Sequence, residues 1–125
     1  MNPHPPVFVV DDEEAVRKSL SKLLGAIGVP TEVYASAPAF LASYASDRAG
    51  CLLVDLRMPG MSGLDLIEEL KRRGLSVPTI VMTGHTDIRS VQRLEALPLI
   101  GFLEKPFSVE QLREMLDRWR HPSGS

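Results

Sequence analysis

A chain of 125 residues is the size of one ordinary domain, long enough to bury a full core without disulfides or a structural metal. Its 44% hydrophobic and 24% charged residues are those of a soluble globular protein, and a net charge of −2 argues against a nucleic-acid-binding surface. The single cysteine, Cys51, excludes an intramolecular disulfide and, inside an apolar run, reads as a small buried hydrophobe suited to a reducing compartment. The N-terminal MNPHPP carries no basic stretch before an apolar core, and no apolar run reaches membrane-spanning length, so a cytoplasmic protein without a membrane contact is expected.

In chain order, the stretch PVFVVDD ending at Asp12 reads as a buried strand with carboxylates at its carboxyl end. Val16, Leu20, Leu23, Leu24 and Ile27 recur at helical spacing, and Gly28 and Pro30 close that helix. Thr31 to Ala35 is short and alternating, which suits an edge strand. Ser36 is placed to cap a helix from Ala37 to about Ala45, with Pro38 tolerated in its first turn. Cys51 to Val54 is a continuous apolar run, as expected of a strand buried on both faces. Asp55 ends it, and Arg57, Met58, Pro59 and Gly60 stop the strand in a turn. Ser62 and Asp65 have capping-box spacing ahead of a helix whose inward face is Leu64, Ile67 and Leu70, ended by Lys71 to Gly74.

Pro78 to Met82 is another apolar strand, terminated by Thr83 and Gly84. A weaker helix follows from about Asp87 to Leu97, broken by Pro98. Leu99 to Leu103 supplies a last strand, ending at Glu104, Lys105 and Pro106. Ser108 and Gln111 repeat the capping-box spacing, and Val109, Leu112, Leu116 and Trp119 stripe a final helix. Arg118, Arg120 and His121 suit the last turn of that helix through its dipole better than they suit DNA. Residues 1–121 therefore read as one domain, and residues 122–125 as a flexible tail or the start of an interdomain linker.

Strand and helix alternate five times over, which predicts an α/β, doubly wound, five-stranded parallel sheet with five helices on its two faces. Ligands of such sheets bind beyond the carboxyl ends of the strands. Four strands end there in chemically capable residues: Asp11 and Asp12, Asp55, Thr83, and Lys105. Taken alone, Asp55 is either a working carboxylate or a solvated loop aspartate. The set says more. Three clustered carboxylates repel one another, and Mg²⁺ relieves that repulsion with hard oxygen ligands while accepting phosphate oxygens. A nearby lysine neutralises an arriving phosphoryl group, a hydroxyl hydrogen-bonds it, and an aspartate carboxylate is a competent nucleophile for it.

With DLRMPGMSG, VMTGH and FLEKPF in place, the chain resembles the response-regulator receiver domains over nearly its whole length, and most of all the FixJ-type branch. The resemblance implies a flavodoxin-like sheet of order 2-1-3-4-5. It implies Asp55 as phosphoacceptor, Asp12 as a direct Mg²⁺ ligand, Asp11 as a partner acid acting largely through water, and the backbone carbonyl of Arg57 as a third protein ligand. Thr83 and Phe102 take the places of the switch hydroxyl and switch aromatic, Lys105 that of the phosphate-contacting lysine, and the Lys105–Pro106 bond is implied to be cis. The implied partner is a sensor histidine kinase, with no nucleic-acid contact by this domain. The implied output face is formed by the fourth helix, the fifth strand and the last helix, and a phosphorylation-dependent homodimer is implied through the fourth helix and the fifth strand. Such a module catalyses only its own phosphorylation and dephosphorylation and is not a metabolic enzyme. Control of transcription through an effector domain outside this sequence is implied.

Some readings stay open at this level. Phe102 equally suits plain core packing, His85 a solvent-exposed loop or an influence on phosphoryl lifetime, and Arg57 a contact with Glu104 or with a phosphodonor. The chain departs from its FixJ-type relatives at Leu97 and Pro98, where they carry an Ala-Gly pair. Together with the periodicity of Ile88, Val91 and Leu94, that departure suggests a rotated, shorter or mobile helix. A phosphorylation-independent interaction domain is the alternative; its mark would be loss of an acid or of the lysine, and none is lost. A phosphoester hydrolase would want a second acid two residues after Asp55, where Arg57 stands. A flavin carrier would want hydroxyls where Asp11 to Glu14 would repel phosphate.

Overall fold

The computed structural model describes residues 5–44, 48–84 and 99–121. Five strands, β1 (Val7–Val10), β2 (Thr31–Tyr34), β3 (Cys51–Asp55), β4 (Thr79–Thr83) and β5 (Gly101–Glu104), form one sheet of order β2-β1-β3-β4-β5, every neighbouring pair parallel. Among the described residues four helices cover it: α1 (Glu14–Ala26), α2 (Ala37–Ser43), α3 (Gly63–Arg72) and α4 (Val109–Arg120). The expected flavodoxin-like, doubly wound order is the one observed. The second helix ends at Ser43, not at about Ala45, because Tyr44 is already extended. The helix expected over Asp87–Leu97 with its break at Pro98, the loop residue His85 and the tail at 122–125 lie outside the described residues.

The apolar runs become strands because both of their faces are covered. Every residue of β1, β3 and β4 is buried. Successive side chains point to opposite sides of a strand, so each run feeds two cores. Phe8, Val10, Leu52, Val54 and Val81 pack with Phe40 of α2 and Leu66, Ile67 and Leu70 of α3. Val7, Val9, Leu53, Ile80, Met82 and Leu103 pack with Leu20 and Leu24 of α1 and with Leu112, Met115 and Leu116 of α4. Burying one such side chain contributes about 1.5–3 kcal/mol, so the two cores dominate the stability of the sheet. The stripes read from sequence omit Leu66 and Met115, which widen the buried faces of α3 and α4.

β2 is the edge strand that its alternation implies, and Val33 is 44% exposed there. Arg48 partly covers this edge, pairing with Glu32 while its guanidinium lies 5.0 Å from the centre of the Phe8 ring. Both capping boxes form. Ser62 Oγ accepts from the Asp65 amide (3.1 Å) and Asp65 Oδ2 from the Ser62 amide (3.0 Å). Ser108 and Gln111 repeat the exchange at 3.1 and 2.8 Å.

Two glycines in the β3–α3 loop have separate steric reasons. Gly60, at φ +73°, takes the left-handed turn after Pro59. Gly63 is the first residue of α3, where a glycine is a poor helix former. A Cβ at this position would stand 2.4 Å from the Asp55 carbonyl oxygen and 3.0 Å from Leu56 Cα, both backbone atoms. The helix therefore starts directly on the end of β3. On an open helix Gly→Ala gains up to about 1 kcal/mol; here the backbone clash outweighs it. Gly63→Ala is expected to lower stability by about 1–3 kcal/mol, read as a lower urea midpoint at unchanged slope. A variant as stable as the wild type would show that α3 is not seated against Asp55.

Candidate functional site

Strand register builds the site. Val10 pairs with Val54, so one residue further along Asp11 stands beside Asp55. Asp55 pairs with Met82, and Thr83 with Glu104, which sets Thr83 and Lys105 at the same end of the sheet. All the residues that the sequence singled out at strand ends are thus brought to one edge.

Asp11 has no exposed surface, and each of its polar groups is engaged. Its amide donates to the Tyr34 carbonyl (3.2 Å) and its carbonyl accepts from the Arg17 guanidinium (2.8 Å). Its Oδ1 accepts from the Glu13 amide (2.9 Å) and its Oδ2 from Lys105 Nζ (2.9 Å). Asp55 is 6% exposed. Its Oδ1 accepts from the Arg57 amide (3.1 Å), and its Oδ2 faces Lys105 Nζ at 3.2 Å. Lys105 donates its own amide to the Thr83 carbonyl (2.7 Å), and the Lys105–Pro106 bond is cis. Thr83 is buried at the end of β4. Phe102, opposite Val81, is half-buried against the α2–α3 core. Arg57 is exposed, and its backbone amide donates to Asp55.

The electrostatics follow from burial against pairing. Burial raises the Asp55 carboxyl above its ordinary range, opposed by the Arg57 amide and by Lys105. Burial works to lower Lys105, but its bond to Asp11 and the charges of both carboxylates outweigh it and raise the ammonium above its usual value. Burial also pushes the Cys51 thiol up to about 12, so this cysteine is an unreactive part of the core.

Asp12 is exposed, and it, Asp11 and Asp55 each present a carboxylate oxygen, the three lying within 4.8 Å of one another. All are hard oxygen donors. Among the described residues, Lys105 Nζ contacts Asp11 and Asp55, and Asp12 adds a third carboxylate, so acids outnumber the ammonium beside them, as a divalent cation site requires. The donor chemistry and the charge both fit Mg²⁺. A separate groove of about 250 Å³ lies at the other end of β4, lined by Ile67, Leu70, Leu75, Pro78 and Leu99, away from the acids. Two contributors went unread in the sequence. Gly63 carried a usable sign, a glycine where a helix starts. The bond from Arg17 to the Asp11 carbonyl, spanning six residues, has no sequence signature.

Residues 7–117 match the model of the response regulator receiver domain. The chain is 46% identical over 102 residues to the transcriptional regulatory protein FixJ of Azorhizobium caulinodans, covering 82% of this chain and 48% of that protein. It is 39% identical over 106 residues to the response regulator protein TodT of Pseudomonas putida, covering 85% and 47%. It spans about half the length of these curated relatives. The crystal structure of FixJ-N superposes with a TM-score of 0.86 at 40% identity, covering 94% of each chain. Full-length FixJ from B. japonicum superposes at 0.87 and 32% identity, covering 98% of this chain and 62% of that one. The chain belongs to the response regulator receiver domain family, in its FixJ-type branch.

Proposed function

We propose that this domain accepts a phosphoryl group on Asp55 from a sensor histidine kinase, in a Mg²⁺-dependent step that it catalyses on itself, and that the acylphosphate switches an output controlling transcription in the cytoplasm. The observation that carries this reading is the clustering of Asp55 with Lys105 and the acids Asp11 and Asp12 at the carboxyl end of the sheet. Asp11, Asp12, Asp55 and the backbone carbonyl of Arg57 would hold Mg²⁺, which when bound neutralises and orients the phosphoryl oxygens.

A carboxylate oxygen of Asp55 attacks phosphorus in line. The new O–P bond forms as the bond to the donor imidazole breaks, and that nitrogen keeps the electron pair. Lys105, already at the Asp55 carboxylate, balances the incoming negative charge. Thr83 donates its hydroxyl to a phosphoryl oxygen, and Phe102 shifts into the space this opens. Attack of water on phosphorus later returns Asp55 and inorganic phosphate. Two phosphorylated copies pair through β5 and the segment 87–97. DNA contact belongs to an effector domain, in keeping with the names of the longer transcriptional relatives.

Intact mass after incubation with acetyl phosphate tests the reading. A single phosphoryl adduct is expected with Mg²⁺, and none with chelator or in Asp55→Asn. No adduct on a folded, Mg²⁺-binding protein would turn the assignment to a phosphorylation-independent docking domain.

Removing Lys105 leaves two buried carboxylates without their cation. Lys105→Ala is expected to cost about 3–5 kcal/mol at neutral pH in metal-free buffer, measured by urea unfolding. Mg²⁺ should restore part of that stability, because it supplies the missing charge.

The pH dependence has a definite sign. Asp55 is raised in the folded state by burial, so the stability linked to it is fully present below its unfolded pKa and lost as pH rises through the folded one. Without Mg²⁺, Asp55→Asn should therefore melt higher than wild type at neutral pH. The difference should shrink on acidification to about pH 4. A variant melting lower at neutral pH would mean that the Lys105 attraction outweighs the burial of this charge.

A further inference from the structure

We infer that Arg17 is a positioning residue for the Mg²⁺ acids, through its guanidinium bond to the Asp11 carbonyl. This rests on the metal-binding reading of the site given above. Arg17 stands one turn into α1, and its Nη1 reaches back to the Asp11 carbonyl at 2.8 Å while its own amide donates to the Glu13 carbonyl at 3.1 Å. That carbonyl belongs to the peptide joining Asp11 to Asp12. A peptide is planar, so fixing its oxygen fixes the plane from which the Asp12 side chain departs.

The two acids are held very differently. Asp11 is anchored at its amide, its carbonyl and both carboxylate oxygens. Asp12 is exposed, yet its carboxylate oxygen lies within 4.8 Å of those of Asp11 and Asp55. Four carboxylates in sequence, Asp11 to Glu14, repel one another and favour a splayed turn. The charge-assisted bond from Arg17 opposes that splaying from the backbone side.

The proposal is discriminating because electrostatics alone predicts the opposite sign. Arg17 is a cation near a cation site, so deleting its charge should tighten Mg²⁺ binding if charge were all it supplied. Loss of positioning should weaken binding, by about tenfold for a residue acting through a ligand. Mg²⁺ demands near-ideal octahedral geometry whereas Ca²⁺ tolerates irregular sites, so misplacing Asp12 should penalise Mg²⁺ more than Ca²⁺.

The test is calorimetric titration of wild type and Arg17→Ala with Mg²⁺ and with Ca²⁺, after a thermal melt shows both folded. The expected result is Mg²⁺ affinity about tenfold weaker in the variant, with a clearly smaller loss for Ca²⁺. Unchanged or tighter Mg²⁺ binding, or equal losses for the two ions, overturns the inference. Should the alanine variant not fold, Arg17→Gln takes its place and is read the same way. A wild type that binds no Mg²⁺ would instead bring down the metal-site reading itself, so the two failures are told apart.

Discussion

The structure turns on one ammonium group, Lys105 Nζ, set between the carboxylates of Asp11 and Asp55 at 2.9 and 3.2 Å. Two carboxylates buried side by side at the end of a sheet stay charged only where a cation shares them, since the desolvation cost of each ion is several kcal/mol. Such pairs are poor evidence for stability: well-packed apolar side chains would hold the same three strands at least as firmly. Their retention here fits a different purpose. The lysine covers one oxygen of each acid, while Asp12 adds a third carboxylate beside them, an arrangement with more acid than a packed core would need.

Around that ion pair, the acids are oriented chiefly by the backbone. Asp55 receives the amide of Arg57, and Asp11 that of Glu13. Gly63 lets α3 begin against the carbonyl of Asp55, where any side chain would push the strand end away. Lys105 is tied through its own amide to Thr83, so the lysine and the hydroxyl residue share one rigid corner of β4 and β5. Side chains held in this way need little reorganisation when charge arrives, which is what a phosphoryl-transfer site requires.

Much of this was legible from residues alone, for identifiable reasons. Buried parallel strands have to be apolar on both faces, so Val7–Val10, Cys51–Val54 and Pro78–Met82 stand out as runs whose polar successors mark the carboxyl edge, although β4 itself runs Thr79–Thr83. Capping is local chemistry, so Ser62–Asp65 and Ser108–Gln111 were readable as helix starts. What escaped was non-local or depended on packing. Leu66 and Met115 are buried because the sheet covers a wider arc of their helices than a single stripe suggests. The bond of Arg17 joins a side chain to a backbone oxygen, and any residue could supply that oxygen. The last strand was read as Leu99 to Leu103 but pairs as Gly101–Glu104. A Cβ at Gly101 would meet Met115 Sδ at 2.6 Å, so the start of β5 is matched to α4 as well as to its own hydropathy.

The same geometry suggests how one added group could be felt at a distance. In the proposed reaction a phosphoryl group on Asp55 adds negative charge at the spot that Lys105 already serves, so the lysine must divide its attraction between Asp11 and a stronger anion. Lys105 cannot respond alone, because its amide is fixed to the Thr83 carbonyl and Thr83 pairs with Glu104. Any inward pull on Thr83 therefore acts on the β4–β5 pair, two residues from Phe102 and its half-buried ring. Close-packed cores respond to such pulls by changing between discrete packings rather than by deforming smoothly. β1 and β3 are buried on both faces, whereas β5 is only partly buried, and this gives the change a direction: outward through β5.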